Sequence, residues 1–402
     1  MTRKLVIVLL LLLICLIPAG ASAAAADIKL LDSSTEADFP NLLTFNVRAE
    51  STAPITRIRL RYEVDKKVYA PTFAEAWPEF QPAKNIKASW SWDMRKAWLP
   101  PGGKVTYWWV IEDSMGNILL TPKKSMTFDD TRYKWQKVSD QNINIYWYQG
   151  SRSFANDLIK AAVDAKQRLE RDTGATLGKP VYIYIYANNS DLLGSIVDPD
   201  EWTGGVAYIG FNIISIGISP NNLTWGKKAV AHELGHLVIQ QVITSPYGDI
   251  RPLWLHEGLA KHAQGDQSEA DKKELQRAID DGRIATLRSL TSPFPASSEG
   301  AFFAYAQSQS VIEYLINTYG KEKINQLLVL LNDGYSMDDA LNKVYGFNLS
   351  GLDEAWLKYM TAVPQDTSNP GKVTQQSPQP VSQVPGSLHP SFATYATLPG
   401  GR

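Results

Sequence analysis

The chain has a single cysteine, Cys15, and it lies inside an apolar stretch at the very start. If that stretch is removed, no thiol remains. Disulfide frameworks and thiolate metal sites are then excluded, and any metal must sit on nitrogen and oxygen. Histidine is scarce too: the five lie at positions 232, 236, 256, 262 and 389. Net charge is almost absent, formally −1 over 402 residues. That argues against nucleic acid or an anionic membrane surface as the main partner. Apolar residues are not lacking. At 44% of the chain, with 12 Trp and 18 Tyr, they suffice to bury cores, and the length suggests two or three domains.

The apolar start has the layout of a targeting segment. Arg3 and Lys4 form a basic region, Leu5 to Ile17 an apolar one, and Pro18 breaks the run before Ala21-Ser22-Ala23. Residues 1–23 are therefore predicted to be a cleaved signal peptide, and the protein to be extracytoplasmic, secreted or associated with the cell envelope. An uncleaved anchor is the alternative, if Ala19 to Ala26 extend the helix. Leu12-Leu13-Ile14 is unlike the small-residue box that precedes a lipidated cysteine.

Chemistry concentrates in Ala231-His232-Glu233-Leu234-Gly235-His236 and, further on, in Trp254-Leu255-His256-Glu257-Gly258. A helix turns about 100° per residue, so His232 and His236 project from one face within roughly 40° of each other. Two imidazoles so placed can share one Zn²⁺. Glu233 is offset from the ligand line, better placed to take a proton from water than to bind the metal. A catalytic zinc needs a third protein ligand and an open fourth position. Glu257 is the leading candidate, and His256 and His262 serve only if their helix is rotated. Ile239 and Val242 stand where a metzincin needs Gly and His, which excludes that class.

The HExxH motif followed by W-L-x-E-G-x-A resembles the gluzincin metallopeptidases, and among them the bacterial peptidase MA-like group. The resemblance implies that His232, His236 and Glu257 bind one zinc per chain and that Glu233 is the general base. It also implies a tyrosine from the C-terminal helical part that stabilises the oxyanion, for which Tyr305 is the candidate. An edge strand just before the zinc helix would hold an extended peptide by strand addition. Gly204-Gly205 falls there, although a plain bulge or turn explains paired glycines equally well.

The rest of the chain follows in order. Over residues 27–130 the pattern has period two, as in Arg57-Ile58-Arg59-Leu60-Arg61-Tyr62-Glu63-Val64 and in Val105, Tyr107, Trp109 and Ile111. Ser114-Met115-Gly116-Asn117 marks a hairpin. Leu99-Pro100-Pro101-Gly102 followed by Tyr107 and Trp109 resembles immunoglobulin-like or fibronectin type III modules, so an all-β sandwich is predicted. It carries no ligand-spaced residues and reads as separable from the chemistry. Its Trp-rich strands offer a surface for cell-envelope or glycan contact, although aromatics at strand spacing are more often core.

Residues 131–363 are predicted to be an α+β zincin-like domain with a helical C-terminal part. Strands are expected at Asn142 to Tyr148, Pro180 to Tyr186, Trp202 to Tyr208 and Ile213 to Ser219. An amphipathic helix is expected from Ser153 to Thr173, a zinc helix from an N-cap at Thr224 to Val242, and helices from Ser268 to Met360. Residues 364–402, rich in Pro, Gln and Ser, read as a disordered tail that includes His389. The resulting expectation is an exported zinc metallopeptidase acting on a peptide or protein substrate. Its rival is a surface-binding or adhesion protein with a structural or inactive zinc domain, and an intact Glu233 argues against that.

Overall fold

The computed structural model describes residues 28–66, 72–197, 204–208, 210–243, 252–292, 294, 298–362 and 393–395. The expected signal peptide, Cys15, His389, Trp202, the loop at 244–251 and most of the Pro/Gln/Ser-rich tail lie outside these residues.

Seven strands are described in the N-terminal β-rich region. They are β1 (Lys29–Asp38), β2 (Leu42–Val64), β3 (Ala74–Ala76), β4 (Ala83–Asp93), β5 (Gly103–Asp113), β6 (Ile118–Leu120) and β7 (Lys124–Phe128). The long β2 organises them. Its first half pairs antiparallel with β1 and β4, and after an irregular stretch between Glu50 and Ile55 its second half pairs with β3 and β5. The period-two pattern decides which way each side chain turns. Ile58 and Leu60 of β2, with Val105, Tyr107, Trp109 and Ile111 of β5, enter one core with Leu43, Phe45 and Phe128. Removing each such aliphatic side chain from water stabilises the fold by roughly 1.5–3 kcal/mol. The expected hairpin joins β5 to β6, with Asp113 Oδ1 accepting from the Met115 and Asn117 N–H groups at 3.0 Å each.

The second sheet runs in the order β13-β11-β12-β10-β9-β8. Its strands are β8 (Gln136–Asp140), β9 (Ile143–Trp147), β10 (Val181–Tyr186), β11 (Gly205–Tyr208), β12 (Ile213–Gly217) and β13 (Ala393–Tyr395). β9, β10 and β12 are parallel, whereas β11 is antiparallel to β12. β13, three residues within the segment 364–402, lies parallel on the outer edge of β11. Within it, Thr394 and Tyr395 have a higher strand preference than the Pro, Gln and Ser that dominate the tail.

Nine helices are described: α1 (Arg152–Thr173), α2 (Asn189–Leu193), α3 (Leu223–Val242), α4 (Leu253–Gln264), α5 (Glu269–Asp280), α6 (Ser298–Tyr319), α7 (Lys321–Asn332), α8 (Met337–Tyr345) and α9 (Leu349–Ala362). In α1 the stripe Leu158, Ala162, Ala165 and Leu169 is buried as its spacing predicts, with Ser151 Oγ capping the Phe154 N–H and left-handed Gly174 ending the helix. Helix α3 differs from expectation at its start. Thr224 lies inside it, and the N-cap position is Asn222 with no side-chain cap bond. A short 3₁₀ turn over Pro220–Asn222 leads the chain in instead.

The sheet separates two kinds of packing. Val181, Ile183 and Ile185 face the large core shared with α1, α3, α4, α6 and α7. Tyr184 and Tyr186 belong to an aromatic layer with Tyr208, and Trp135, Tyr146, Tyr148 and Tyr182 pack against it. One alternating strand thus serves two environments. No helix among the described residues is long and apolar enough to cross a membrane.

Candidate metal centre

Helix α3 is buried on nearly all sides from Ala229 to Ile239, as a helix that carries ligands into a core must be. Its sequence leaves little polar surface there apart from His232, Glu233 and His236, which are each 1% exposed or less. Such groups are tolerated in a core only where partners or a cation compensate them.

Helix α4 packs against α3 and α6 and brings Glu257 to the two histidines. Small residues allow this approach. A Cβ on Gly235 would lie 2.9 Å from Ala260 Cα, so α3 and α4 touch backbone to backbone. A Cβ on Gly258 would lie 2.5 Å from the Ser308 carbonyl oxygen and 2.7 Å from Ile312 Cγ1. Gly258 therefore faces α6, whereas Ala260 meets Gly235 of α3. Gly258→Ala should push α4 away from α6 and move the neighbouring Glu257. The expected result is a loss of about 1–3 kcal/mol in stability together with weaker metal retention. Gly178→Ala, whose methyl would meet only Gln241 Oε1 at 3.8 Å, should change neither. Thermal melts and metal content after dialysis against a chelator read both.

The donor atoms converge. His232 Nε2 and His236 Nε2 are 3.2 Å apart, and Glu257 Oε2 lies 3.3 Å from the first and 3.6 Å from the second. A tetrahedral zinc with bonds of 2.0–2.1 Å has ligand–ligand edges of about 3.4 Å. The triangle thus has the size of one face of such a site. Glu257 Oε2 and Glu233 Oε1 are buried without a hydrogen-bond partner, as acceptors awaiting a cation or a proton donor would be. Two imidazole nitrogens and a carboxylate oxygen are a donor set that zinc takes. These residues fit the metal.

The electrostatics agree with that donor set. Burial, reinforced by the charge of Lys261, pushes His232 down to about 3, so its ring is a neutral donor at ordinary pH. Burial raises Glu233 well above the usual carboxyl range, and the charge of Glu257 adds to this. Glu257 is raised by burial as well, against the opposing pull of His236 and Lys261. A dication among these groups would favour the ionised form of both acids.

The remaining sequence candidates divide. Tyr305 of α6 joins the site, its ring centroid 6.2 Å from that of His232 and edge-on to Phe294. Burial, then the charges of Glu257 and Glu233, raise its pKa, which keeps the hydroxyl a donor. His256 is not in the donor triangle: its ring stacks on His236 with centroids 4.3 Å apart and planes at 27°. His262 turns to Asp172 Oδ2 at 2.9 Å and ties α4 to the end of α1. Gly204 and Gly205 sit at the start of the buried strand β11, where the Gly204 carbonyl accepts from the Gly217 N–H at 3.1 Å. That strand packs on α3. Lys261 escaped the sequence reading, although its position one turn after Glu257 is a usable signal.

The family model of the peptidase MA superfamily matches residues 161–362, half of the chain, and takes in every residue of this centre. The chain belongs to that superfamily, whose members are peptidases and generally zinc-dependent. No curated protein matches the chain. Among solved structures, a family 56 carbohydrate-binding module that binds β-1,3-glucan is 12% identical, with 25% of this chain and 99% of that one covered and a TM-score of 0.17. A polysaccharide deacetylase from Bacillus cereus is 13% identical, with 40% of this chain and 51% of that one covered and a TM-score of 0.19. Scores this low carry no weight for fold or function.

Proposed function

We propose that the chain is an exported zinc metallopeptidase of gluzincin type, preceded by an immunoglobulin- or fibronectin-III-like β-sandwich. One observation carries the proposal: the Nε2 atoms of His232 and His236 and the Oε2 of Glu257 converge with the edges of a zinc site. Bound zinc would supply an acidified water and a Lewis acid for the scissile carbonyl. Glu233 takes the proton of the attacking water and delivers it to the leaving amine. Tyr305 donates its hydroxyl proton as a hydrogen bond to the developing oxyanion. The start of β11 at Gly204-Gly205 offers backbone groups to an extended peptide, and the pairing of β13 on the outer edge of that strand supports its ability to accept one.

Two features favour a working site over a structural one. A structural zinc is closed by four protein ligands, whereas the group found among the described residues has three. A structural site also has no use for the buried Glu233. The β-sandwich carries exposed Phe73 and Trp77, which suit contact with a glycan or the cell envelope. Export rests on the basic, apolar and Ala-Ser-Ala order of the first residues.

The test is zinc content together with hydrolysis of a mixed peptide library. About one zinc per chain is expected, with cleavage abolished by chelation and restored by added zinc. A protein that holds zinc through chelation and cleaves nothing would support the adhesion reading instead.

A further inference from the structure

Strand β11 is four residues long and pairs on its inner side with β12 over Gly205–Tyr208. Its outer side is covered only by the three residues of β13, so a strand this short gains little from its ladder alone. Both of its flanks reach into the N-terminal β core. Val197 before it and Phe211 after it pack against that core, and Phe211 also packs against the tyrosine layer of the second sheet.

The turn that carries Phe211 is tightly built. Gly210 and Asn212 have φ of 93° and 57°, and the Phe211 N–H donates to the Tyr208 carbonyl at 3.1 Å. Asn212 Oδ1 accepts from Gln241 Nε2 at 3.0 Å. Gln241 lies in the last turn of α3, and its Oε1 accepts the Lys179 N–H at 2.9 Å. One turn is therefore held on one side by the N-terminal core and on the other by the helix of His232 and His236.

Contacts beneath β10 and α2 fix the same two parts together. Gly102, between β4 and β5, lies so close to Tyr184 that a Cβ there would fall 2.1 Å from the phenol oxygen. Asp130, 1% exposed, accepts from Tyr186 Oη at 3.0 Å and from Arg132 at 2.8 and 2.6 Å. Arg132 also lies over the Phe39 ring at 5.6 Å and abuts Gly194 at the end of α2.

We propose that the N-terminal β region sets the position of the β11 edge, and that Phe211 is the positioning residue through which it acts. The region thereby governs how an extended peptide docks while leaving the metal and the proton transfer untouched. This rests on the reading of β11 as the peptide-docking strand, where a peptide would take the place of β13 on its outer side, and it departs from the expectation that residues 27–130 are dispensable. Strand addition works through a row of main-chain hydrogen bonds, so a displaced edge weakens substrate binding before it weakens chemistry.

The experiment compares wild type with Phe211→Ala and Phe211→Leu in the full chain. It reads amide hydrogen exchange, zinc content, and kcat and KM on a library-derived peptide. In Phe211→Ala, amides of β11 and the 210–212 turn should exchange about tenfold faster, with β9 and β10 unchanged. Zinc should be retained, KM should rise about fivefold and kcat should stay within about twofold. Phe211→Leu should restore most of the wild-type exchange and KM. Unchanged exchange at β11 overturns the proposal. So does a fall in kcat that tracks zinc loss, which would make Phe211 an ordinary packing residue. Failure of the peptidase reading shows separately, as wild type without cleavage, and the exchange data then still decide whether the N-terminal region holds the edge.

Discussion

Glu233→Gln is expected to bind zinc as the wild type does and to lose peptide hydrolysis by about 10²–10⁴-fold, the usual contribution of a general base. The substitution keeps the size and packing of a side chain that is 1% exposed on the central helix. What it removes is the proton acceptor. Glu233 follows His232 directly, so the regular helix turns it away from the line of the two ligands, and the donor triangle is complete without it. Burial and the neighbouring Glu257 raise its pKa, the setting in which a carboxylate can hold a proton between two steps. The measurement is kcat at matched zinc content. Released zinc would mean that Glu233 is a ligand, and full turnover would mean that the proton has another acceptor.

The centre was largely legible in the sequence because helix periodicity is local. The four-residue spacing of His232 and His236 fixes their common face before any tertiary contact forms. The β10 alternation was legible for the same reason, since strand period two sends Ile183 and Tyr184 to opposite faces. Spacing also nominated Glu257, but only the packing of α4 on α3 separates it from His256. That packing depends on the Gly235–Ala260 contact, between residues far apart in the chain.

Other features left no local trace. Strand β8 over Gln136–Asp140 is mostly exposed and carries no apolar alternation, so only its pairing with β9 reveals it. The 23 residues of β2 form one strand through an irregularity, which the breaks of a sandwich pattern do not announce. Phe211 packs on the N-terminal core, whose residues lie more than eighty positions earlier, and no periodicity connects it to them.

Glu257→Ala should weaken zinc binding by a large factor, whereas His256→Ala should leave zinc stoichiometry close to wild type. The two residues are adjacent on α4, so a regular helix cannot aim both at one point. Glu257 Oε2 stands 3.3 Å from His232 Nε2 and 3.6 Å from His236 Nε2, and the His256 ring lies flat against His236 instead. Removing Glu257 therefore takes one of three donors and the negative charge that offsets a dication in a buried site. Glu257→Asp keeps the charge but draws the oxygen back by about 1.5 Å, one methylene, so zinc retention should fall between the wild type and the alanine variant. Removing His256 takes away a ring that backs His236, which should loosen that ligand and lower activity modestly while leaving three donors in place. Zinc per chain after dialysis against a moderate chelator separates these outcomes. A metal-free His256→Ala beside a metal-bound Glu257→Ala would reverse the ligand assignment and require α4 to be rotated about 100° from its present orientation.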